Sequence, residues 1–93
     1  MLSGPAGTYT IAPDIEMSVG RDAAKCHITL TEPRVSGVHA TLKLEGTELR
    51  VRDEHSNNGT FIDGLRLAGG TWTVAPAGGV VRFGPVEFSV RVE

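Results

Sequence analysis

The sequence lacks the features that define several classes of protein. Its single cysteine, Cys26, excludes an internal disulfide and a cysteine-rich zinc site, and it favours a reducing environment. No stretch approaches the roughly 18 consecutive apolar residues of a membrane-spanning helix. No Lys or Arg precedes Arg21 and the first residues contain no long apolar run, so a secretory signal is not expected. We therefore expect a cytoplasmic protein without a membrane attachment of its own.

The chain also lacks an excess of basic charge. Nine Lys and Arg residues stand against eleven Asp and Glu residues, which gives a formal net charge of −2. A protein of this charge has no overall field that would attract nucleic acid or an anionic membrane. An anionic ligand must therefore be bound by groups that converge locally.

Helical periodicity is missing too, because no window of useful length combines helical apolar spacing with capping residues. Instead, 12 Gly and 5 Pro are spread along the chain, as expected for many short strands joined by tight turns. About ten or eleven strands, the first clear one at residues 7–12, with a possible remnant of an earlier one at residues 1–2, and the last at residues 86–93, predict an all-β sandwich of two twisted, mostly antiparallel sheets. The length predicts one monomeric domain over residues 1–93, which could be part of a longer chain.

The strand pattern is clearest in the middle of the chain. Apolar residues from Val38 to Leu44 alternate with polar residues from His39 to Glu45, which predicts one buried face and one solvent-exposed face. His39 falls on the exposed face in this pattern. Asp63-Gly64 lies between two apolar segments and predicts a two-residue turn with positive φ at both positions. Trp72 and the phenylalanines are expected to fill the core.

Three polar loops are predicted to meet at one edge of this sandwich: residues 34–40, residues 56–60 and the loop that begins at Gly20-Arg21. A phosphorylated side chain carries about −1.5 to −2 charges and three acceptor oxygens. Its site needs a cation, hydroxyl or amide donors and free backbone N–H groups. An Arg, the Ser36 hydroxyl and the backbone N–H of Gly37 would supply these groups, so we expect an anion site for a phosphorylated protein.

The order of these motifs resembles a known family. Gly20-Arg21, Ser36 with His39 three residues later, and Asn58-Gly59-Thr60 are similar to positions of the forkhead-associated (FHA) domain family. The resemblance extends over roughly residues 9–92 of this chain. It implies an eleven-stranded β-sandwich whose loops at one end bind phosphothreonine, with no cofactor and no metal.

The resemblance also implies a role for each matching residue. The phosphate ligands would be Arg21 and Ser36, and Asn57 would add a contact to the phosphate or the peptide. The backbone N–H of Gly37, predicted above from its chemistry, would join this phosphate-binding set. Asn58 would hold the backbone of the bound peptide, and Arg34 would contact the phosphate or a following residue. The residues that support the loops would be Gly20, His39, Gly59 and Thr60. The implied partner is a phosphothreonine-containing product of a Ser/Thr kinase, in keeping with bacterial Ser/Thr-kinase signalling.

Other interpretations remain open at this stage. The domain could be an FHA-fold scaffold that binds a neighbouring protein independently of phosphorylation. Ser36 and His39 could belong to a hydrolase, although a Ser and a His three residues apart do not reliably form a nucleophile and base pair. Arg34 could simply pair with Glu32 at the surface.

Overall fold

The computed structural model describes residues 1–91 and folds them into a sandwich of eleven strands, without a helix in that range. The predicted all-β sandwich is therefore confirmed. The strands are β1 (Leu2–Gly4), β2 (Gly7–Tyr9), β3 (Met17–Gly20), β4 (Ile28–Thr29), β5 (Ala40–Glu45), β6 (Glu48–Asp53), β7 (Thr60–Ile62), β8 (Leu65–Arg66), β9 (Trp72–Ala75), β10 (Val80–Phe83) and β11 (Val86–Val90).

The strands form one sheet of six and one of five. The first has the order β2-β1-β11-β10-β7-β8 and the second the order β4-β3-β5-β6-β9. Pairing is antiparallel in both sheets except between β3 and β4, which run parallel. The predicted first strand is shorter than expected and follows a separate strand, β1. The predicted last strand is present as β11, while residues 92–93 of the prediction lie outside the described residues.

The turn chemistry follows the sequence at the β7–β8 hairpin. Asp63 and Gly64 have φ angles of 49° and 84°, the left-handed values that a type I′ turn requires at both central positions. Ile62 pairs with Leu65 directly across this turn. The predicted two-residue turn is therefore confirmed.

The core lies between the two sheets and is built from alternate residues of the facing strands. Leu42 and Val51 from one sheet and Phe83 and Phe88 from the other are at most 1% exposed. Burying a side chain of this size contributes about 1.5–3 kcal/mol.

The prediction that Trp72 and all the phenylalanines fill the core is wrong at two positions. Trp72 and Phe61 are only half-buried, because their strand registers place them on the outer faces, where Arg52 and Arg82 cover their rings at 4.5 Å and 3.9 Å.

Strand direction brings three loops to the same end of the sandwich. β3 ends where β5 begins, since Val19 pairs with Ala40, and β6 ends at the same level, since Ala40 also pairs with Asp53. β7 begins opposite Phe83, at the end of β10. The loops 21–27, 30–39 and 54–59 therefore lie at the same end of the sandwich. Among the described residues, no helix has the length and apolar character needed to cross a membrane.

Candidate functional site

Main-chain and side-chain hydrogen bonds join the three loops into one surface. The N–H of Arg21 donates to the Ser36 carbonyl oxygen at 3.0 Å, which links the first two loops. The N–H of Asn57 donates to Ser36 Oγ at 3.2 Å, and Asn58 Nδ2 donates to the Arg34 carbonyl oxygen at 2.7 Å. We call the surface formed by Arg21, residues 34–37 and Asn57–Asn58 the loop site.

Arg21 is the cation of this surface that has no ionic partner. Its side chain is exposed and makes no ion pair within residues 1–91. Its backbone is fixed by close packing, because a Cβ at Gly20 would overlap the Gly37 carbonyl oxygen and approach Cys26 Sγ to 2.9 Å. Only glycine fits at position 20, and this contact holds the base of the Arg21 side chain against the second loop.

Cys26 supports the same contact from below. Its Sγ donates a weak hydrogen bond to the Gly37 carbonyl oxygen at 3.2 Å. Burial, reinforced by the nearby charge of Asp22, raises the pKa of the Cys26 thiol and keeps the donor proton in place. Cys26 therefore acts as a structural donor beneath the loop site.

Ser36 and Gly37 leave donors available at the surface. Ser36 Oγ accepts the Asn57 N–H, so its own hydroxyl proton remains free to donate. The N–H of Gly37 makes no hydrogen bond within the described part of the chain, and a Cβ at this glycine would meet nothing closer than 4.0 Å. Both groups are only half-buried. Together with Arg21, they provide the charge and the donors that an anion requires.

His39 lies beneath these groups and is fully buried. The Ser36 N–H donates to His39 Nδ1 at 3.1 Å, so Nε2 carries the proton and donates to the Gly59 carbonyl oxygen at 2.8 Å. Burial lowers the pKa of His39, although the Gly59 hydrogen bond and the charge of Asp53 oppose this shift. The ring therefore joins the second loop to the third in its neutral form.

The predicted solvent exposure of His39 is wrong, and so is that of Thr41. The alternation was extended back to Val38, but β5 begins at Ala40, so His39 belongs to the loop and turns inward. Val38 is only half-buried, and Val35, which the alternation did not include, is 1% exposed. Thr41 lies within β5 but is only 7% exposed, and its hydroxyl donates to Glu54 Oε2 at 3.0 Å. The alternation therefore fails before the strand starts, at His39, and again at Thr41, where a neighbouring side chain covers the outer face.

Asp53 organises the third loop from the buried side. Its Oδ1 accepts the hydroxyls of Ser56 at 2.5 Å and Thr60 at 2.7 Å, and its Oδ2 accepts the Ser56 N–H at 3.1 Å. Ser56 Oγ in turn accepts the Gly59 N–H at 3.0 Å. Burial alone would raise the pKa of Asp53, but the hydrogen bonds from Ser56 and Thr60 outweigh it and lower that pKa. The carboxylate is thus held charged beneath Asn57 and Asn58.

Asp53 and Ser56 were not among the predicted site residues. The signal that could have found them is their spacing, since an Asp three residues before a Ser often closes a local turn by accepting its N–H. Asn57 and Asn58 were predicted, and the structure leaves both exposed above this turn. The Asn58 amide nitrogen is already bonded to the Arg34 carbonyl, while its oxygen stays available to a ligand.

Arg34 differs from Arg21 because it has a partner. Its Nε lies 2.9 Å from Glu32 Oε1, which also accepts the Arg34 N–H at 3.2 Å. The hydrogen bond from Arg34 lowers the pKa of the Glu32 carboxyl. The structure therefore brings Arg34 to the edge of the loop site but occupies part of its guanidinium.

The site lacks the geometry of a hydrolase. His39 Nδ1 faces the backbone N–H of Ser36 instead of its hydroxyl, and Nε2 faces a carbonyl oxygen. A general base must lie within hydrogen-bonding distance of the nucleophile that it deprotonates. Within residues 1–91, no group of three or more His, Cys, Asp or Glu side chains could hold a metal ion.

Comparison with solved structures finds the same architecture in several proteins. The FHA domain of the CT664 protein from Chlamydia trachomatis is 22% identical, with 99% of this chain and 94% of that chain covered and a TM-score of 0.86. The MEK1 FHA domain in complex with a phosphothreonine peptide of HOP1 is 23% identical over 99% and 94% of the two chains, with a TM-score of 0.85. The FhaA FHA domain complexed with the intracellular domain of Rv3910 is 24% identical over 97% and 94%, with a TM-score of 0.80.

The sequence comparison is independent of these structures. None of the curated proteins matches the chain significantly. The family model described as the FHA domain matches residues 17–84, a segment that contains every residue of the loop site and spans more than half of the 93-residue chain. This protein therefore belongs to the FHA domain family.

Proposed function

We propose that this domain is a phosphothreonine-dependent protein interaction module. The observation that carries the proposal is that the backbone of Arg21 is bonded to Ser36, which places an exposed arginine with no ion pair within residues 1–91 beside the Ser36 hydroxyl and a Gly37 N–H that makes no hydrogen bond in the same range. Each hydrogen bond to a charged group contributes about 1.5–3 kcal/mol, so three such donors make the phosphate the decisive part of the ligand. The MEK1 FHA domain, which has the same fold, binds a phosphothreonine peptide.

The proposed contacts follow from which groups are free and which are engaged. Arg21 presents a planar fork that can bond two phosphate oxygens, and the hydroxyl of Ser36, the N–H of Gly37 and the amide of Asn57 complete the phosphate site. Asn58 holds the peptide backbone through its carboxamide oxygen. Arg34 acts at the edge of the site, where its pairing with Glu32 limits its contribution.

The remaining predicted residues support the loops. Gly20 permits the contact with Gly37, and His39 links Ser36 to Gly59. Gly59 has a φ of 84°, which favours glycine, and Thr60 donates to Asp53. None of these residues needs to touch the ligand for its substitution to reduce binding.

The proposed partner is a protein phosphorylated by a Ser/Thr kinase, and neither nucleic acid nor a membrane is part of the proposal. We place the interaction in the bacterial cytoplasm, where the half-exposed thiol of Cys26 would stay reduced. The FhaA FHA domain, another protein of this fold, was solved with the intracellular domain of a partner protein. The proposed module has no catalytic role, in keeping with a family that binds phosphopeptides.

A phosphate-independent scaffold is the competing function, and the chemistry of the loop site argues against it. In the loop site the Arg21 side chain, the Ser36 hydroxyl proton and the Gly37 N–H have no acceptor within residues 1–91, so an anion can bond to them without breaking a contact of the protein. Unpaired donors at a converging site are what an anion ligand uses. The two functions differ in whether removal of the phosphate abolishes binding.

Calorimetric titration with a phosphothreonine peptide library and its unphosphorylated counterpart tests the proposal. We expect binding only of phosphorylated peptides and a loss of roughly 10- to 100-fold for Arg21→Ala, the value of one charge-assisted contact. Arg91→Ala is the matched control, since Arg91 is exposed and follows β11 at the opposite end of the sheet. Equal binding of phosphorylated and unphosphorylated peptides would show that the domain is not a phosphothreonine module.

A further inference from the structure

Two arginines on the outer face of the six-stranded sheet form no ion pair with any carboxylate of residues 1–91. Arg66 on β8 and Arg82 on β10 are both directly opposite Phe61 on β7, which lies between them. The guanidinium carbon of Arg82 lies 3.9 Å from the centroid of the Phe61 ring, and its Nη1 donates to the Gly84 carbonyl oxygen at 2.7 Å. Neither arginine makes an ion pair within residues 1–91. We call Arg66 and Arg82 the arginine pair.

The arginines of the other sheet provide a contrast. Arg50 lies 3.7 Å from Glu45, and Arg52 lies 2.9 Å from Glu54 and 3.6 Å from Glu16. Each of these two arginines has at least one acidic partner, although Glu45 is shared with Lys43. Glu87 on β11 lies directly opposite Arg82 and offsets part of its charge, whereas Arg66 on the edge strand β8 has no acidic residue paired with it among the described strands. The positive potential of this face is therefore strongest at Arg66.

The arginine pair is continuous with the loop site through Gly59. A Cβ at Gly59 would lie only 2.8 Å from Arg66 Nε, and Gly59 directly follows Asn58. The Gly84 N–H donates to the Gly59 carbonyl oxygen at 2.8 Å, and a Cβ at Gly84 would lie 3.7 Å from Asn58 Cβ. Arg66 therefore lies beside the loop whose Asn58 is proposed to hold the peptide.

We propose that the arginine pair is a second anion subsite, which selects an acidic side chain flanking the phosphothreonine; this inference rests on the function proposed above. Arg66 is exposed and can offer its planar fork to a carboxylate. Arg82 is held by Phe61 and the Gly84 carbonyl, so it adds fixed positive potential beside that contact. Because Arg66 is exposed, the selectivity depends on ionic strength.

A set of matched peptides tests this subsite. One phosphothreonine peptide carries Glu at the three positions on either side of the phosphothreonine, and a second carries Gln at the same positions. Fluorescence polarisation would measure both against the wild-type domain, Arg66→Gln and Arg82→Gln. Arg91→Gln is the control for general charge, and a thermal unfolding midpoint for each variant confirms that it is folded.

We expect the wild-type domain to bind the Glu peptide roughly three- to tenfold more tightly than the Gln peptide at low salt. Arg66→Gln should remove most of this preference and leave affinity for the Gln peptide unchanged, while Arg82→Gln should reduce the preference and Arg91→Gln should retain it. Raising the salt concentration should diminish it in the wild type.

Equal affinity of the wild-type domain for the two phosphopeptides would overturn the subsite and leave the phosphothreonine function intact. The same conclusion would follow if Arg66→Gln weakened both phosphopeptides by the same factor, since Arg66 would then only support Gly59. Failure of either phosphopeptide to bind more tightly than its unphosphorylated form would instead refute the phosphothreonine function, and the subsite with it.

Discussion

The loop end of this domain has a buried polar layer and an exposed rim. Both contain polar side chains and backbone groups, but those of the buried layer bond to the protein, whereas several of those in the rim do not. In the buried layer, His39, Asp53 and Thr60 bond to other groups of the protein. In the rim, Arg21 has no partner within residues 1–91, and the N–H of Gly37 makes no hydrogen bond there. Satisfied polar groups stabilise the loops, whereas unsatisfied donors are available to a ligand. Substitutions in the buried layer should therefore affect stability first, and substitutions in the rim should affect binding alone.

The largest expected effect is on the buried layer, at Asp53. Asp53→Ala removes three hydrogen bonds to a carboxylate and leaves the Ser56 and Thr60 donors buried without a partner. We expect the free energy of unfolding to fall by about 3 kcal/mol or more. Urea denaturation at pH 7 measures this loss.

Glu54→Ala is the control for Asp53, because it removes the neighbouring carboxylate. Glu54 bonds to Thr41 and to Arg52 in a half-buried position. Its loss leaves one buried donor, the Thr41 hydroxyl, without its acceptor and should cost about 1–2 kcal/mol, less than the loss of Asp53. If the two alanine variants were destabilised equally, the buried layer would have no special role in the loops.

Substitutions at two glycines, Gly20 and Gly37, distinguish an effect on stability from an effect on binding. At Gly20, a Cβ would overlap the Gly37 carbonyl oxygen, so Gly20→Ala should lower the free energy of unfolding by about 1–3 kcal/mol and displace Arg21. At Gly37, a Cβ would meet nothing closer than 4.0 Å, so Gly37→Ala should change stability by no more than about 0.5 kcal/mol.

Binding should distinguish the same two variants in a second way. If the phosphate approaches the Gly37 N–H, the new methyl group of Gly37→Ala obstructs it, and phosphopeptide affinity should fall while the urea midpoint is unchanged. Gly20→Ala should lose both affinity and stability. Normal affinity of Gly37→Ala would remove Gly37 from the set of proposed phosphate ligands.

A smaller effect is expected from pH, through His39. Burial lowers its pKa in the folded domain below the ordinary value of 6.5. The unfolded chain therefore takes up the proton first as pH falls. The stability contributed by neutral His39 is complete above pH 6.5 and is lost progressively below it, towards the lowered pKa. The charged carboxylate of Asp53, whose pKa is also lowered in the folded domain, contributes stability separately. That contribution is lost only as the pH falls below the ordinary carboxyl pKa of about 3.8.

His39→Gln tests this assignment, because a carboxamide can accept from Ser36 and donate to Gly59 but does not titrate in this range. Urea midpoints at pH 7.5 and pH 5.5 should differ more for the wild type than for His39→Gln. The other histidines are common to both proteins and do not contribute to the difference between them. An identical pH dependence in the two proteins would show that His39 does not cause the loss.

The sequence predicted the sandwich well because alternation and turn chemistry are local signals. The Asp63-Gly64 turn required only two adjacent residues. The burial of His39 was not predictable from alternation, which does not show where a strand begins. The approach of Arg66 to Gly59 depends on the pairing of β7 with β8, and the face that Trp72 occupies depends on the register between β6 and β9. Contacts of these kinds arise only when separate strands pair.

The smallest expected effect concerns Arg34, the rim residue that already has a partner. Glu32→Gln keeps the Oε1 acceptor for the Arg34 N–H but removes the charge that holds its guanidinium at 2.9 Å. Freed Arg34 can then turn to the phosphate, and the carboxylate no longer repels that phosphate. We expect affinity for a phosphothreonine peptide to rise roughly two- to threefold at low salt, with an unchanged urea midpoint. A fall in affinity would mean that Glu32 orients Arg34 for binding, and that a satisfied side chain of the rim can also serve the ligand.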